Sequence, residues 1–130
     1  MVEVERIYHV WFSTKGRKPV LQAEIGNDVR GSLAQIARRT NINLLEFELS
    51  VDHVHMLLEL TSDENLSAVM QQLKGACSRQ IFLKYPELRL DLGHQAFWQK
   101  GYGFRQLQAG EVRGLRYYVR TQASRPPRRD

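Results

Sequence analysis

The sequence has 130 residues, of which 42% are hydrophobic and 25% charged, a composition typical of one globular domain and unlike that of a disordered chain. No apolar run reaches the roughly 18 residues of a transmembrane helix, and the first residues lack the pattern of a signal peptide. The single cysteine, Cys77, excludes a disulfide scaffold and a cysteine zinc cluster, and it favours a reducing cytoplasm.

The positive charge is concentrated near the C-terminus. The net charge is +5, and residues 111–130 contribute +4 of it through six arginines against two acids. A basic segment beside a near-neutral core indicates a polyanionic partner, nucleic acid first and an anionic membrane second. The alternative is an arginine-rich surface that is merely solvated, and charge alone does not decide between the two.

Hydrophobic periodicity predicts seven elements. Alternating, β-branched and aromatic residues indicate strands, and apolar residues at helical spacing indicate helices. Ser62 or Asp63 is expected to cap the second helix, which ends near Tyr85 because Pro86 follows. In chain order the prediction is a strand over 2–13, a helix over 23–40, a strand over 45–51, a strand from 53, a helix to about 85, a strand over 97–107 and a helix over 111–123.

The order of these elements indicates the fold. The first six match the split β-α-β, or ferredoxin-like, pattern, an α+β fold in which helices cover one face of an antiparallel sheet. The last helix is an addition to that pattern. We expect a single domain over residues 1–124 and a flexible basic tail over 125–130.

Two histidines stand out on the third predicted strand. His53 and His55 are two residues apart and therefore point to the same side, about 7 Å apart along the backbone. The residues between and after them, such as Val54 and Met56, form an apolar face suited to the core. Two imidazoles at this spacing can converge on one cation. The alternative is a pair of ordinary half-exposed histidines, because this short pattern is common by chance.

A second set of candidates lies on the last predicted helix. Tyr118 and Gln122 are four residues apart and share one helical face. Arg116 and Arg120 beside the tyrosine could stabilise its phenolate and contact a phosphate. The alternative is a surface tyrosine that packs its ring and exposes its hydroxyl. The residues alone do not decide between Tyr118 and its neighbour Tyr117.

Several other polar and aromatic residues are weaker candidates. Trp98 and Tyr102 could stack on bases, although core packing is the favoured role for Trp98. His9 is expected to be a packed, structural histidine, and His94 a loop residue. The candidates for phosphate contacts are Lys15, Arg17, Lys18, Lys74 and Arg79.

The two site motifs together resemble a known family. A strand bearing His53-Val54-His55, followed by a C-terminal helix with Tyr118 and Gln122, is similar to the single-tyrosine HUH transposases of the insertion-sequence 200/605 superfamily. Residues 8–15, 52–57 and 97–102 also resemble that family, so that the likeness spans residues 7–122. Residues 102–107 depart from the family pattern. Residues 108–110 would be the hinge of the tyrosine helix, and they contain fewer small residues than is usual in the family.

The resemblance implies a chemistry and partners. His53, His55 and Gln122 would hold a divalent cation, Mg²⁺ or Mn²⁺, and Tyr118 would be the nucleophile. The expected activity is cleavage and rejoining of single-stranded DNA through a 5′-phosphotyrosine link, with a hairpin in the DNA. The family also acts as a homodimer, often with the tyrosine helix of one subunit completing the metal site of the other.

Three alternatives remain at the level of the sequence. The first is a non-enzymatic RNA- or DNA-binding module of ferredoxin-like fold, which reads bases with exposed sheet aromatics. The second is a metal-dependent phosphodiesterase that uses water and leaves no covalent adduct. The third is a domesticated transposase that processes repetitive palindromes in its host.

Overall fold

Four antiparallel strands form one sheet in the computed structural model, which describes residues 6–61, 63–93 and 96–121. The strands lie in the order β2-β3-β1-β4, which is the ferredoxin-like arrangement and confirms the predicted fold class. Their bounds are β1 Arg6–Ser13, β2 Asn43–Leu49, β3 His53–Leu60 and β4 Gly103–Gln106.

Two long helices cover one face of the sheet. They are α1, Ala23–Arg39, and α2, Leu66–Lys84. Strand alternation sends Val10, Met56 and Leu58 towards these helices, where all three are fully buried. This face therefore holds the main core, as the sequence predicts.

A shorter helix covers the opposite face. Helix α4, Val112–Thr121, packs against β2 and β3 through a small apolar cluster centred on Leu57, Leu107 and Val119. Leu57 is fully buried although it shares a strand face with the two histidines. Helix α4 thus covers the β2 and β3 part of this face, and this side of the sheet carries the candidate site.

Several predicted boundaries need correction. Helix α2 is capped by Asn65, whose side chain accepts a hydrogen bond from the Ala68 amide at 3.1 Å, so that Asp63 is not the cap; Ser62 lies outside the described residues. The predicted loop over 87–95 contains a one-turn helix, α3, Leu88–Asp91. The fourth strand is shorter than predicted because the chain turns at Gly101, at a φ of +84°, before β4 begins.

The remaining predicted elements agree with the structure in type. The tight hairpin between β2 and β3 is closed by a 2.8 Å hydrogen bond from the Ser50 amide to the His53 carbonyl. Residues 2–5 of the first predicted strand and the basic tail over 125–130 lie outside the described residues. No helix in the described ranges is both long and apolar enough to cross a membrane.

Candidate active site

The two candidate histidines lie on the sheet face that α4 covers. Their rings are 4.9 Å apart, centroid to centroid, in an edge-to-face arrangement. In the β1–β3 register, Ser13 lies opposite His53 and Trp11 lies opposite His55. Central strands that are paired on both sides hold these backbones in place, so that the two imidazoles project from a rigid surface.

Asp52 orients His53. The His53 Nδ1 atom lies 2.8 Å from a carboxylate oxygen of Asp52, and Arg17 contacts the other carboxylate oxygen at 3.4 Å. Burial alone would raise the pKa of the Asp52 carboxyl, but the hydrogen bond to His53 and the charge of Arg17 lower it below its ordinary value. An ionised carboxylate accepts the Nδ1 proton, so in the neutral imidazole of His53 the lone pair is on the Nε2 atom.

His9 contacts His55 from the neighbouring strand. The His9 Nε2 atom lies 3.1 Å from the Nδ1 atom of His55, and the two rings stack at 5.3 Å. His9 is 8% exposed, so the prediction of a packed histidine is confirmed, but its partner is a site residue. Burial, and then the charges of His53 and His9, lower the pKa of His55 to about 4. His55 is therefore neutral at pH 7, the form in which a ring nitrogen can bind a metal.

The described residues fit part of a cation site. With both Nδ1 atoms engaged, the Nε2 atoms of His53 and His55 are the ring nitrogens left to bind a cation. Among the described residues, no group of three or more histidines, cysteines or acids is placed to hold a metal ion. The predicted third ligand, Gln122, lies outside the described residues.

Tyr118 lies beside the histidines of its own chain. Its ring centroid is 6.2 Å from the ring centroids of both His9 and His55, and it stands nearly perpendicular to each ring. The tyrosine is half-buried and packs against the apolar cluster under α4. A single chain therefore brings together the tyrosine and the histidine pair that the sequence singles out.

Polar contacts to β2 hold the tyrosine helix on the sheet. Arg120 forms an ion pair with Glu46 at 3.0 Å, and an Arg116 guanidinium nitrogen donates to the Leu45 carbonyl at 3.3 Å. The neighbouring Val119 is fully buried. The two arginines predicted to contact phosphate are thus engaged in docking α4.

The other predicted phosphate ligands are spread over the molecule. The Lys18 ammonium donates to the Asp91 carbonyl, and the Lys74 ammonium donates to the Gln99 and Gly101 carbonyls. Burial lowers the pKa of Lys74. Lys15 and Arg17 lie in the turn after β1 at the His53 end, whereas the exposed Arg79 is on α2, behind the sheet.

Aromatic residues show which surface could meet bases. Trp98 is 5% exposed and packs between Phe12 and Phe97, which confirms its core role, and Tyr102 is half-buried against the same core. Trp11 is 40% exposed on the histidine face. His9 and Trp11 were both missed as site residues, although alternation along β1 places them opposite the core residues Tyr8, Val10 and Phe12. His94 lies outside the described residues.

The chain is similar to known proteins over most of its length. The sequence profile of the family described as "Transposase IS200 like" matches residues 4–122. The ISDra2 transposase TnpA of Deinococcus radiodurans is 28% identical over 115 residues, which are 88% of this chain and 82% of that protein. The transposase for insertion sequence element IS200 of Salmonella typhimurium is 32% identical over 95 residues, 73% of this chain and 62% of that protein.

Solved structures share the fold. A crystal structure of a protein from Deinococcus radiodurans named as a transposase aligns with a TM-score of 0.73 and 27% identity, over 94% of this chain and 92% of that one. A REP-associated tyrosine transposase bound to a REP hairpin aligns with a TM-score of 0.67 and 12% identity, over 94% of this chain and 69% of that one, and shows the fold alone. With the family profile matching nearly the whole chain, this protein belongs to the IS200-like transposase family.

Proposed function

We propose that this transposase cleaves and rejoins single-stranded DNA through a covalent bond between Tyr118 and a 5′-phosphate. The observation that carries the proposal is the position of the Tyr118 ring, 6.2 Å from the rings of both His9 and His55 within one chain. A tyrosine beside a proposed metal ligand, His55, and that ligand's positioning partner, His9, is an arrangement suited to phosphoryl transfer to a side chain.

The reaction exchanges one phosphodiester for another. The Tyr118 hydroxyl oxygen forms a bond to the scissile phosphorus, the bond from phosphorus to the 3′-oxygen breaks, and the phenolic proton is lost as the 3′-oxygen gains one. A phenol has a pKa near 10, so its deprotonation is part of the barrier. The reverse attack by a DNA 3′-hydroxyl rejoins a strand and regenerates the tyrosine, and no nucleotide cofactor is needed because the phosphodiester is conserved.

We propose that His53 and His55, together with Gln122, hold Mg²⁺ or Mn²⁺. The cation, when bound, polarises the scissile phosphate. Asp52 and His9 occupy the Nδ1 atoms of the two histidines and so direct the Nε2 atoms outward. Imidazole ligands also suit zinc and nickel, so the choice of Mg²⁺ or Mn²⁺ rests on the family resemblance.

The DNA partner is proposed to contain a hairpin. One structural relative is bound to a REP hairpin, and this chain carries most of its charge excess in residues 111–130. Arg17 and Lys15 lie at the His53 end of the site, where a phosphate backbone could be contacted. Such contacts make affinity fall with salt. A domesticated transposase that processes repetitive palindromes in its host would use the same chemistry.

A homodimer is also part of the proposal. The family resemblance implies exchange of the tyrosine helix between subunits, whereas α4 packs here on the sheet of its own chain. The exchange stays a prediction, and a dimer whose sites are each built from one chain is the arrangement that these contacts favour.

A non-enzymatic nucleic-acid-binding module is the second candidate, favoured by the exposed Trp11 on the sheet face. Strand-specific labelling separates the candidates. Single-stranded DNA carrying the palindromes that flank the gene is incubated with protein and Mn²⁺ and resolved on a denaturing gel. We expect the 3′-labelled fragment to migrate with the protein and the 5′-labelled fragment to be released. Cleavage without an adduct would indicate hydrolysis by water, and no cleavage would favour the binding module.

A further inference from the structure

An exposed indole lies on the histidine face of the sheet. The Trp11 ring is 5.1 Å from the His9 ring, and its residue is paired with His55 across β1 and β3. It is 40% exposed, and neither apolar cluster of the described residues includes it. Core packing therefore does not account for a large aromatic side chain at this position.

The indole of Trp11 lies directly against the backbone of β4. Gly103 is paired with Trp11, and a Cβ atom at residue 103 would lie 2.1 Å from the indole Nε1 atom and 2.2 Å from Cε2. Any side chain at residue 103 would displace the ring. Because Gly103 does not have a positive φ, glycine is needed here for close approach and not for backbone conformation. The ring is thus held against the sheet beside the site.

Other exposed aromatic surface faces away from the histidines. Phe104 is 54% exposed but is paired with Val10, so it lies on the other face of the sheet, near Tyr8 and Tyr102. Cationic groups do border the histidine face: Arg105 is paired with His9, and Arg17 contacts Asp52. An aromatic face beside cations is the combination that binds single-stranded nucleic acid, with bases stacked and phosphates contacted.

We propose that Trp11 stacks on the unpaired base of a nucleotide next to the scissile phosphate. This inference rests on the proposed function and adds a base-binding subsite to it. Stacking uses the π-face that every base offers, so the subsite accepts any base and requires that the nucleotide be unpaired. It therefore favours single-stranded over duplex DNA at the position of cleavage.

Paired changes in protein and DNA test the subsite. Trp11→Leu removes the aromatic face, Trp11→Phe keeps one, and abasic nucleotides are placed singly around the cleavage point. We expect Trp11→Leu to weaken single-strand binding about tenfold, within the range found for one stacked base, and Trp11→Phe to weaken it less. An abasic nucleotide at one position should weaken wild-type binding by a similar factor. The same abasic DNA should cause no further loss of affinity in Trp11→Leu. Phe104→Leu is the matched control and should bind as wild type does.

Two further measurements keep the test independent of folding and of the chemistry. Thermal melting checks that Trp11→Leu is folded. In Trp98→Phe, which leaves Trp11 as the only tryptophan, single-stranded DNA should quench the emission and abasic DNA should quench it less. The inference is overturned if Trp11→Leu binds like wild type or keeps the same abasic sensitivity. If the wild-type protein forms no covalent adduct with DNA, the proposed function is refuted instead. Base stacking and adduct formation are measured separately, so the two failures can be told apart.

Discussion

The Nε2 atom of His9 and the Nδ1 atom of His55 lie 3.1 Å apart across two neighbouring strands, with their rings stacked 22° from parallel. For the Nε2 atom of His55 to offer a lone pair, its Nδ1 atom must carry the proton and donate to His9. Asp52 plays the same part for His53. Each of the two proposed histidine ligands thus has one positioning partner, the Asp52 carboxylate for His53 and the His9 imidazole for His55.

Removal of the His9 contact is expected to weaken the cation site without removing a ligand. His9→Ala should lower Mn²⁺ affinity and the rate of adduct formation by roughly 10–100-fold, the usual cost of losing such a partner. His9→Gln, which can still accept a hydrogen bond, should recover part of both. Titration calorimetry with Mn²⁺ provides a readout apart from activity. Unchanged Mn²⁺ affinity in a folded His9→Ala protein would show that His9 only fills space.

The Arg120–Glu46 ion pair is expected to dock the tyrosine helix. Both Arg120→Ala and Glu46→Gln should lower the free energy of unfolding by no more than about 1 kcal/mol, because Arg120 is largely exposed. Both should also raise amide hydrogen exchange in α4 and slow adduct formation by similar factors. A loss of DNA affinity in Arg120→Ala alone would assign Arg120 to a DNA phosphate instead, as the sequence predicts.

Acid is expected to destabilise the metal-free protein. The pKa of His55 is about 4 in the folded protein, chiefly because of burial, and about 6.5 when unfolded. Between these values the unfolded chain binds more protons, so stability is full above about pH 6.5 and is lost as the pH falls towards 4. Urea unfolding with a chelator should show a loss of roughly 1–2 kcal/mol from pH 7.5 to pH 5. His55→Gln should flatten this dependence, and a stability that rises on acidification would contradict it.

The contacts of α4 with its own sheet predict an active site built from one chain. If so, a mixture of His53→Ala and Tyr118→Phe proteins should stay inactive, because every site in a mixed dimer lacks either the histidine or the tyrosine. Proof of subunit exchange, for example with differently tagged copies, is the necessary control. Recovery of adduct formation on mixing would show instead that the tyrosine helix is exchanged between subunits, as the family resemblance implies.

Local patterns in the sequence predicted the sheet, its helices and the shared side of His53 and His55. The alternation over β3 fixes that side, and helical spacing defines α1 and α2. Each of these patterns lies within one helix or strand, so it can be recognised in the sequence without knowledge of tertiary contacts.

The contacts that were missed depend on pairing between distant parts of the chain. His9 contacts His55 only because of the β1–β3 register, and the Trp11 indole can lie against β4 only because residue 103 is a glycine. The roles of Arg116 and Arg120 likewise depend on where α4 docks on β2. Charge and helical spacing predict Arg116 and Arg120 as candidates, but the register of the strands and the docking of α4 determine what these four side chains contact.

Covalent attachment of DNA to the Tyr118 hydroxyl can be read directly by mass spectrometry of the nuclease-trimmed adduct. Tyr118→Phe removes one oxygen and little packing, so it should fold normally and form no adduct, whereas Tyr117→Phe should form it. We expect a nucleotide mass on the peptide containing Tyr118 and, after Edman or fragment-ion mapping, on that residue. A modification of Tyr117, or an adduct that persists in Tyr118→Phe, would contradict it.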